Sequence, residues 1–200
     1  MISLILGTIS QYVLLVIDKI GYAGIFFLAA LGAANIPIPS EVIWPFSGFL
    51  ANTGKISFWL AIFIGVAGDL AGSLFSYWLG YQARKNVFHW DNHKISANVE
   101  RARKWLDRFG DWAVFLCRMT PVARAFISFP LGVLKFKSIS RFAALTAFGS
   151  FVWFSFLSYL GFVFGENWQV LQIYFRKFDY VIVAVILIIG VWGIWKYFKK

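Results

Sequence analysis

Four ionisable residues stand in stretches too apolar to hold them comfortably: Glu41 in PIPSEVIWPFSG, Asp69 in GDLAGSLFSYWLG, and Arg118 and Arg124 on either side of Pro121. A carboxylate in such surroundings can carry a proton, because burial favours its neutral form. A guanidinium stays charged at any working pH and matches phosphate oxygens two at a time. These residue types bind and relay; they do not by themselves make or break a substrate bond. The other chemistry-bearing residues add little. His89 and His93 have the spacing of a metal pair on a helix, but the surrounding loop offers no further ligand, so a solvated helix end is the better reading. Cys117 is the only cysteine, which leaves no internal disulfide. No metal and no cofactor is expected.

The solvent of the chain explains why those charges matter. Of 200 residues, 60% are hydrophobic, 20% aromatic and only 14% charged, a membrane profile. The whole of 1–200 reads as a single integral membrane domain. The net charge of +10 does not call for nucleic acid, since the cations flank apolar segments, as the positive-inside rule requires. The N-terminus has no basic region or A-x-A site, so Met1 to Ile17 is expected to be a retained helix. Residues 2–17 are short for a span and could equally lie at the interface.

The clear spanning candidates are Ser57 to Tyr81, Ser140 to Phe164 and the shorter Tyr180 to Trp195, within a C-terminal helix at about 179–196. Two further apolar segments are interrupted, Ala23 to Ala51 by Pro37, Pro39 and Pro45, and Asp111 to Leu134 by Pro121 and Pro130. Proline removes an amide donor and disfavours helix before it, and irregular backbone at membrane depth must be buried in protein or line a wet cavity. Both segments are therefore expected to be re-entrant helical hairpins. The predicted fold is all-α and polytopic: about four transmembrane helices plus two hairpins. The first hairpin and its helix cover about 23–81, a basic loop about 82–110, and the second hairpin and its helix about 111–165. This count puts the basic cluster from Arg84 to Arg108, the one from Lys135 to Arg141 and the C-terminal lysines all on the cytoplasmic face of the cell membrane. Ile95 to Phe109 reads as an amphipathic helix stopped by Gly110, able to lie on an anionic leaflet.

The two broken segments also resemble each other. PIPSEVIWPFSG followed by GDLAGSLFSYWLG matches PVARAFISFPLG followed by GSFVWFSFLSYLG, and the topology inverts one copy relative to the other. Each of the four charges would cost about 2.5–3.5 kcal/mol at a helix centre, so they must pair or face water. Glu41 and Arg124 hold similar places between their prolines and are expected to pair, leaving Arg118 with donors to spare. Asp69 is expected to bond backbone freed at a hairpin break. The same residues could simply staple the hairpins together.

The residues resemble the DedA family, related to the VTT-domain scramblases. The match runs from about Ala34 to Gly161. It is carried by Pro37, Pro39, Ser40 and Glu41, by Gly68, Asp69, Gly72, Tyr77 and Gly80, and by Arg118, Pro121, Arg124, Ser128, Gly132, Phe142, Gly149 and Trp153. The resemblance implies two re-entrant hairpins in an inverted repeat and a role in moving lipids between leaflets, undecaprenyl phosphate and phosphatidylethanolamine among them. One departure stands out: Gly32 occupies a place where many members carry an acid, which weakens proton coupling unless Glu41 and Asp69 supply it. The leading expectation is a flippase or scramblase for a phosphate-bearing lipid, with anionic headgroups as partners and a homo-oligomer compatible with the sequence. A proton-coupled transporter of small solutes or ions is the alternative. A membrane-embedded lipid phosphatase is a third reading, disfavoured because no Ser-His or metal constellation is present.

Overall fold

The computed structural model describes residues 12–36, 38, 40–87, 100, 103, 104, 106–120, 124, 126–134, 136 and 138–164. The expected helix at 179–196, residues 2–11, the histidine pair at 89 and 93, and much of the segment from Ile95 to Phe109 lie outside them. What is described is all helical: a stretch at 12–20, then α1 (Tyr22–Ala33), α2 (Ser40–Asn52), α3 (Phe58–Val87), α4 (Trp112–Arg118), α5 (Ser128–Val133) and α6 (Ile139–Val163). Two stretches are long and apolar enough to cross a membrane, Phe58–Ala83 and Ile139–Val163, close to the spans expected from sequence. The helix α3 does not stop near Tyr81 but continues to Val87, into the expected loop. Gly110 does end a helical turn: its φ is 57° and its amide bonds the Leu106 carbonyl at 2.7 Å.

Each broken segment is a pair of short helices. In the first, α1 closes on Asn35 in the left-handed region, with the Ile36 amide returning to the Leu31 carbonyl, and asparagine is one of the few side chains that tolerates this. Asn35 Nδ2 then donates to Ser76 Oγ at 2.9 Å, which ties the bend to α3. Two prolines expected to break the hairpins do not. Pro45 lies inside α2, and Pro130 is the third residue of α5, within a first turn whose amides have no partner in the helix. The interruptions fall earlier, between α1 and α2 and between α4 and α5. Pro37, Pro39 and Pro121 belong to those interruptions in sequence and lie outside the described residues.

The packing is crosswise. The leading arm of each hairpin lies on the long helix that follows it, α1 on α3 and α4 on α6. The trailing arms go to the other long helix, α2 to α6 and α5 to α3. Bare backbone makes these crossings. A Cβ at Gly48 of α2 would strike the Ser158 carbonyl of α6, and one at Gly161 would strike Pro45. In the other crossing, a Cβ at Gly132 of α5 would strike the Tyr77 carbonyl of α3, and one at Gly80 would strike Phe129. Lipid gives helices little hydrophobic reason to associate, so close van der Waals approach through small residues is how they hold. Outward faces carry large apolar side chains such as Trp59, Phe63, Phe75, Trp78, Phe148 and Tyr159, as a lipid-facing surface requires.

The interior divides into two apolar cores. One joins Ile25, Leu28, Ile43, Trp44, Leu50, Ala61, Phe154 and Leu157, with Val66 against it. The other joins Tyr77, Val114, Leu131, Phe136 and Phe142, with Leu74 and Leu145 against it. Along α3, Asp69 falls between Val66 and Leu74; along α6, Ser150 falls between Leu145 and Phe154. The polar groups occupy the layer between the cores.

A buried carboxylate between two guanidiniums

Asp69 is fixed by its place in α3, where Gly68 and Gly72 let α1 approach so closely that a Cβ at either would meet the carbonyls of Phe26 or Ala30. Its carboxylate accepts two hydrogen bonds and faces a second guanidinium. Arg124 Nη2 reaches Oδ1 at 3.2 Å, Ser150 Oγ donates to Oδ2 at 2.6 Å, and Arg118 Nη1 stands 3.5 Å from Oδ2. The side chains of Asp69, Arg118 and Arg124 are 0%, 1% and 7% exposed. An ion cluster so deeply removed from solvent needs counter-ions and further hydrogen bonds to hold, and Asp69 and Arg118 have both.

Arg118 ends α4, where a cation complements the negative end of the helix dipole. Its Nη2 donates to Ser128 Oγ at 2.9 Å and Thr146 Oγ1 at 3.3 Å, and its Nη1 to the Arg124 carbonyl at 3.3 Å. The guanidinium lies 5.9 Å from the Phe142 ring centre, and that of Arg124 lies 4.9 Å from the Phe154 ring centre, within cation–π range. Arg118 Nε, Arg124 Nη1 and Trp44 Nε1 are buried donors with no acceptor among the described residues. With two guanidiniums against one carboxylate, the cluster carries one net positive charge and a surplus of donors.

Three of the four expected residues therefore come together, and Glu41 does not join them. The partner of Arg124 is Asp69, which corrects the expected Glu41–Arg124 pair. Glu41 sits in the first turn of α2, where the helix dipole favours a carboxylate, and accepts from Ser40 Oγ at 2.8 Å. Among the described residues, Asp69 bonds no backbone freed at a break; Arg118 does so, at the Arg124 carbonyl, because a donor is what a freed carbonyl needs. Thr146 and Ser150 are not singled out by the sequence, and Ser128 only as a residue that carries the family resemblance. Their signal is the small hydroxyl side chain inside a strongly apolar helix, with Thr146 and Ser150 one turn apart on the same face. Among the described residues, no group of three His, Cys, Asp or Glu side chains could hold a metal ion.

A model of the VTT domain matches residues 38–163 of the chain. The chain is 28% identical to the protein named "Alkaline phosphatase-like protein" of Lactococcus lactis subsp. cremoris (strain MG1363), over 95% of this chain and 92% of that one. It is 29% identical to "Undecaprenyl phosphate transporter A" of Bacillus subtilis (strain 168), over 82% of each. To the protein of the same name in Staphylococcus aureus (strain NCTC 8325 / PS 47) it is 27% identical, over 92% of this chain and 94% of that one. No solved structure matches.

Proposed function

The chain belongs to the VTT-domain (DedA) family of membrane proteins, and on that premise we propose that it is a lipid transporter, a flippase or scramblase, whose site takes a phosphate headgroup. The observation that carries this reading is the cluster of Asp69, Arg118 and Arg124 between the two apolar cores. One net positive charge and unpaired guanidinium donors suit an anion whose chains remain in the bilayer. The relatives named as undecaprenyl phosphate transporters support it. The relative named alkaline phosphatase-like raises the hydrolytic alternative. Against hydrolysis, Asp69 is already committed to two guanidiniums, which make it a weak base toward the Ser150 hydroxyl that donates to it.

Arg118→Lys tests the headgroup reading. Arg118 spreads two nitrogens over Asp69, Ser128, Thr146 and the Arg124 carbonyl, which one ammonium cannot span. In liposomes the lysine variant should slow movement of a phosphate-bearing lipid at least about tenfold, nearly as much as Arg118→Ala, since a charge-assisted contact is worth about 1.5–3 kcal/mol. Full rescue by lysine, or equal transport of lipids without phosphate, would defeat the reading.

The architecture that serves this function is an inverted repeat of two re-entrant hairpins within about four spans. The glycine crossings support it. Laying Gly48 on Gly132 and Gly80 on Gly161 also lays Pro45 on Phe129 and Tyr77 on Ser158, so each contact in one crossing has its counterpart in the other. Asp69 then corresponds to Ser150, and these two touch, as matching positions near a two-fold axis do. In this topology the loop from Arg84 to Arg108 and the C-terminus face the cytoplasm. A cysteine at Ser96, in a Cys117→Ser background, should resist an impermeant thiol reagent added to intact cells. Ready labelling would refute the count.

A further inference from the structure

The same glycine register divides the surroundings of the ion cluster into two unlike sides. It lays Trp44 on Ser128, Phe154 on Ser73 and Gly65 on Thr146. On the first side these positions hold an indole stacked on a phenyl ring, with centroids 3.6 Å apart and planes at 17°. Gly65 makes room for that indole, since a Cβ there would strike the Trp44 ring. On the second side the same three positions hold hydroxyls. Ser128 and Thr146 accept from Arg118 Nη2, and Ser73 Oγ, fully buried, has no partner among the described residues. The volume that an indole fills on one side is filled on the other by a guanidinium. Arg124 lies against the aromatic side, over Phe154.

The two sides differ in what can cross them. A charged headgroup pressed between stacked rings would lose its hydrogen bonds with nothing to replace them. Beside Ser73, Ser128 and Thr146 it can exchange hydrogen bonds one at a time, with Arg118 Nε available as a further donor. We infer that the headgroup is received on the Ser73, Ser128 and Thr146 side of the cluster, and that Trp44 with Phe154 is the barrier closing the other. The headgroup half of this inference rests on the proposed function; the barrier half stands without it. Along α3, Ser73 lies on the Val87 side of Asp69, so the hydroxyl side is the one nearer the basic loop, with Tyr77 and Phe142 beyond it, their ring centroids 5.1 Å apart.

Cysteine accessibility tests the barrier without any lipid being moved. Ser73→Cys in a Cys117→Ser background is placed in membrane vesicles of both orientations and exposed to a charged, impermeant methanethiosulfonate. Labelling is expected only from the face carrying residues 84–108. Adding Trp44→Ala, or the milder Phe154→Leu should the first variant fail to fold, is expected to make labelling comparable from both faces. Labelling from the far face with Trp44 intact, labelling from neither face, or a far-face rate unchanged in a folded ring variant would each overturn the assignment. Sided labelling alongside an Arg118→Lys protein that transports normally would keep the barrier and discard the headgroup.

Discussion

Asp69→Ala is expected to cost the protein more stability than loss of any other single charge. The substitution leaves two guanidiniums, 1% and 7% exposed, facing each other with no anion between them. Breaking a buried pair by removing one partner costs about 3–5 kcal/mol, and here one carboxylate serves two cations. Ser150 would lose its acceptor as well. The variant should reach the membrane in much reduced amount and lose its monodisperse peak in detergent at a lower temperature. Removing a guanidinium along with the carboxylate should relieve part of the defect: Asp69→Ala with Arg124→Leu should be more stable than Asp69→Ala alone. A double variant no better than the single one would show that the carboxylate is not the counter-ion of Arg124. Glu41→Gln, by contrast, should change stability little, because its partners are Ser40 and the start of α2.

Alanine at the crossing glycines should rank next. At Gly48, Gly80, Gly132 and Gly161 the added methyl meets a backbone carbonyl, and two helices must part to admit it. Overpacking typically costs about 1–3 kcal/mol when side chains can yield. A backbone obstacle puts these four at or above the upper end of that range. The informative comparison is within pairs: Gly48→Ala should match Gly132→Ala, and Gly80→Ala should match Gly161→Ala, because each pair meets the same kind of carbonyl. Gly32→Ala is the control. Its Cβ would stand 3.8 Å from Ile38 Cβ, ordinary contact, and alanine in a helix gains up to about 1 kcal/mol over glycine. Thermal unfolding in detergent, followed by size-exclusion fluorescence, decides it. A control as damaging as the four crossings would mean that tight helix approach is not what they measure.

Much of this was legible in the sequence, for local reasons. Long apolar runs mark both ends of α6 and the start of α3 to within one residue, though α3 runs on past Tyr81 to Val87, and the interrupted segments mark two pairs of short helices. The errors are equally instructive. Pro45 and Pro130 were read as breaks because spacing alone does not say whether a proline's missing amide falls inside a helix or at its start. Glu41 was matched to Arg124 because the two hairpins were aligned by proline; aligned by the glycines that touch the long helices, Arg124 falls on Ser40. The aspartate's partners could not be read from periodicity, since they arrive from α4, the segment after it and α6, through a crossing that no local pattern encodes. One clue was available: Gly68 matches Gly149 in the sequence repeat, so Asp69 matches Ser150, and residues matched across a two-fold axis are neighbours when they lie close to it.

That contact has a mechanical side. The Ser150 to Asp69 hydrogen bond meets the two long helices equally far from their beginnings, since Phe58 to Asp69 and Ile139 to Ser150 are equal intervals. It is a fulcrum. Turning one helix about it leaves the bond unstretched, while every residue further along adds about 1.5 Å of lever arm. Side chains near the ends, Trp59 and Phe162 among them, sweep the longest arcs. The charges that would be costliest to pull apart sit close to that point, where the lever arm is shortest; Thr146, which Arg118 also bonds, is one turn along α6.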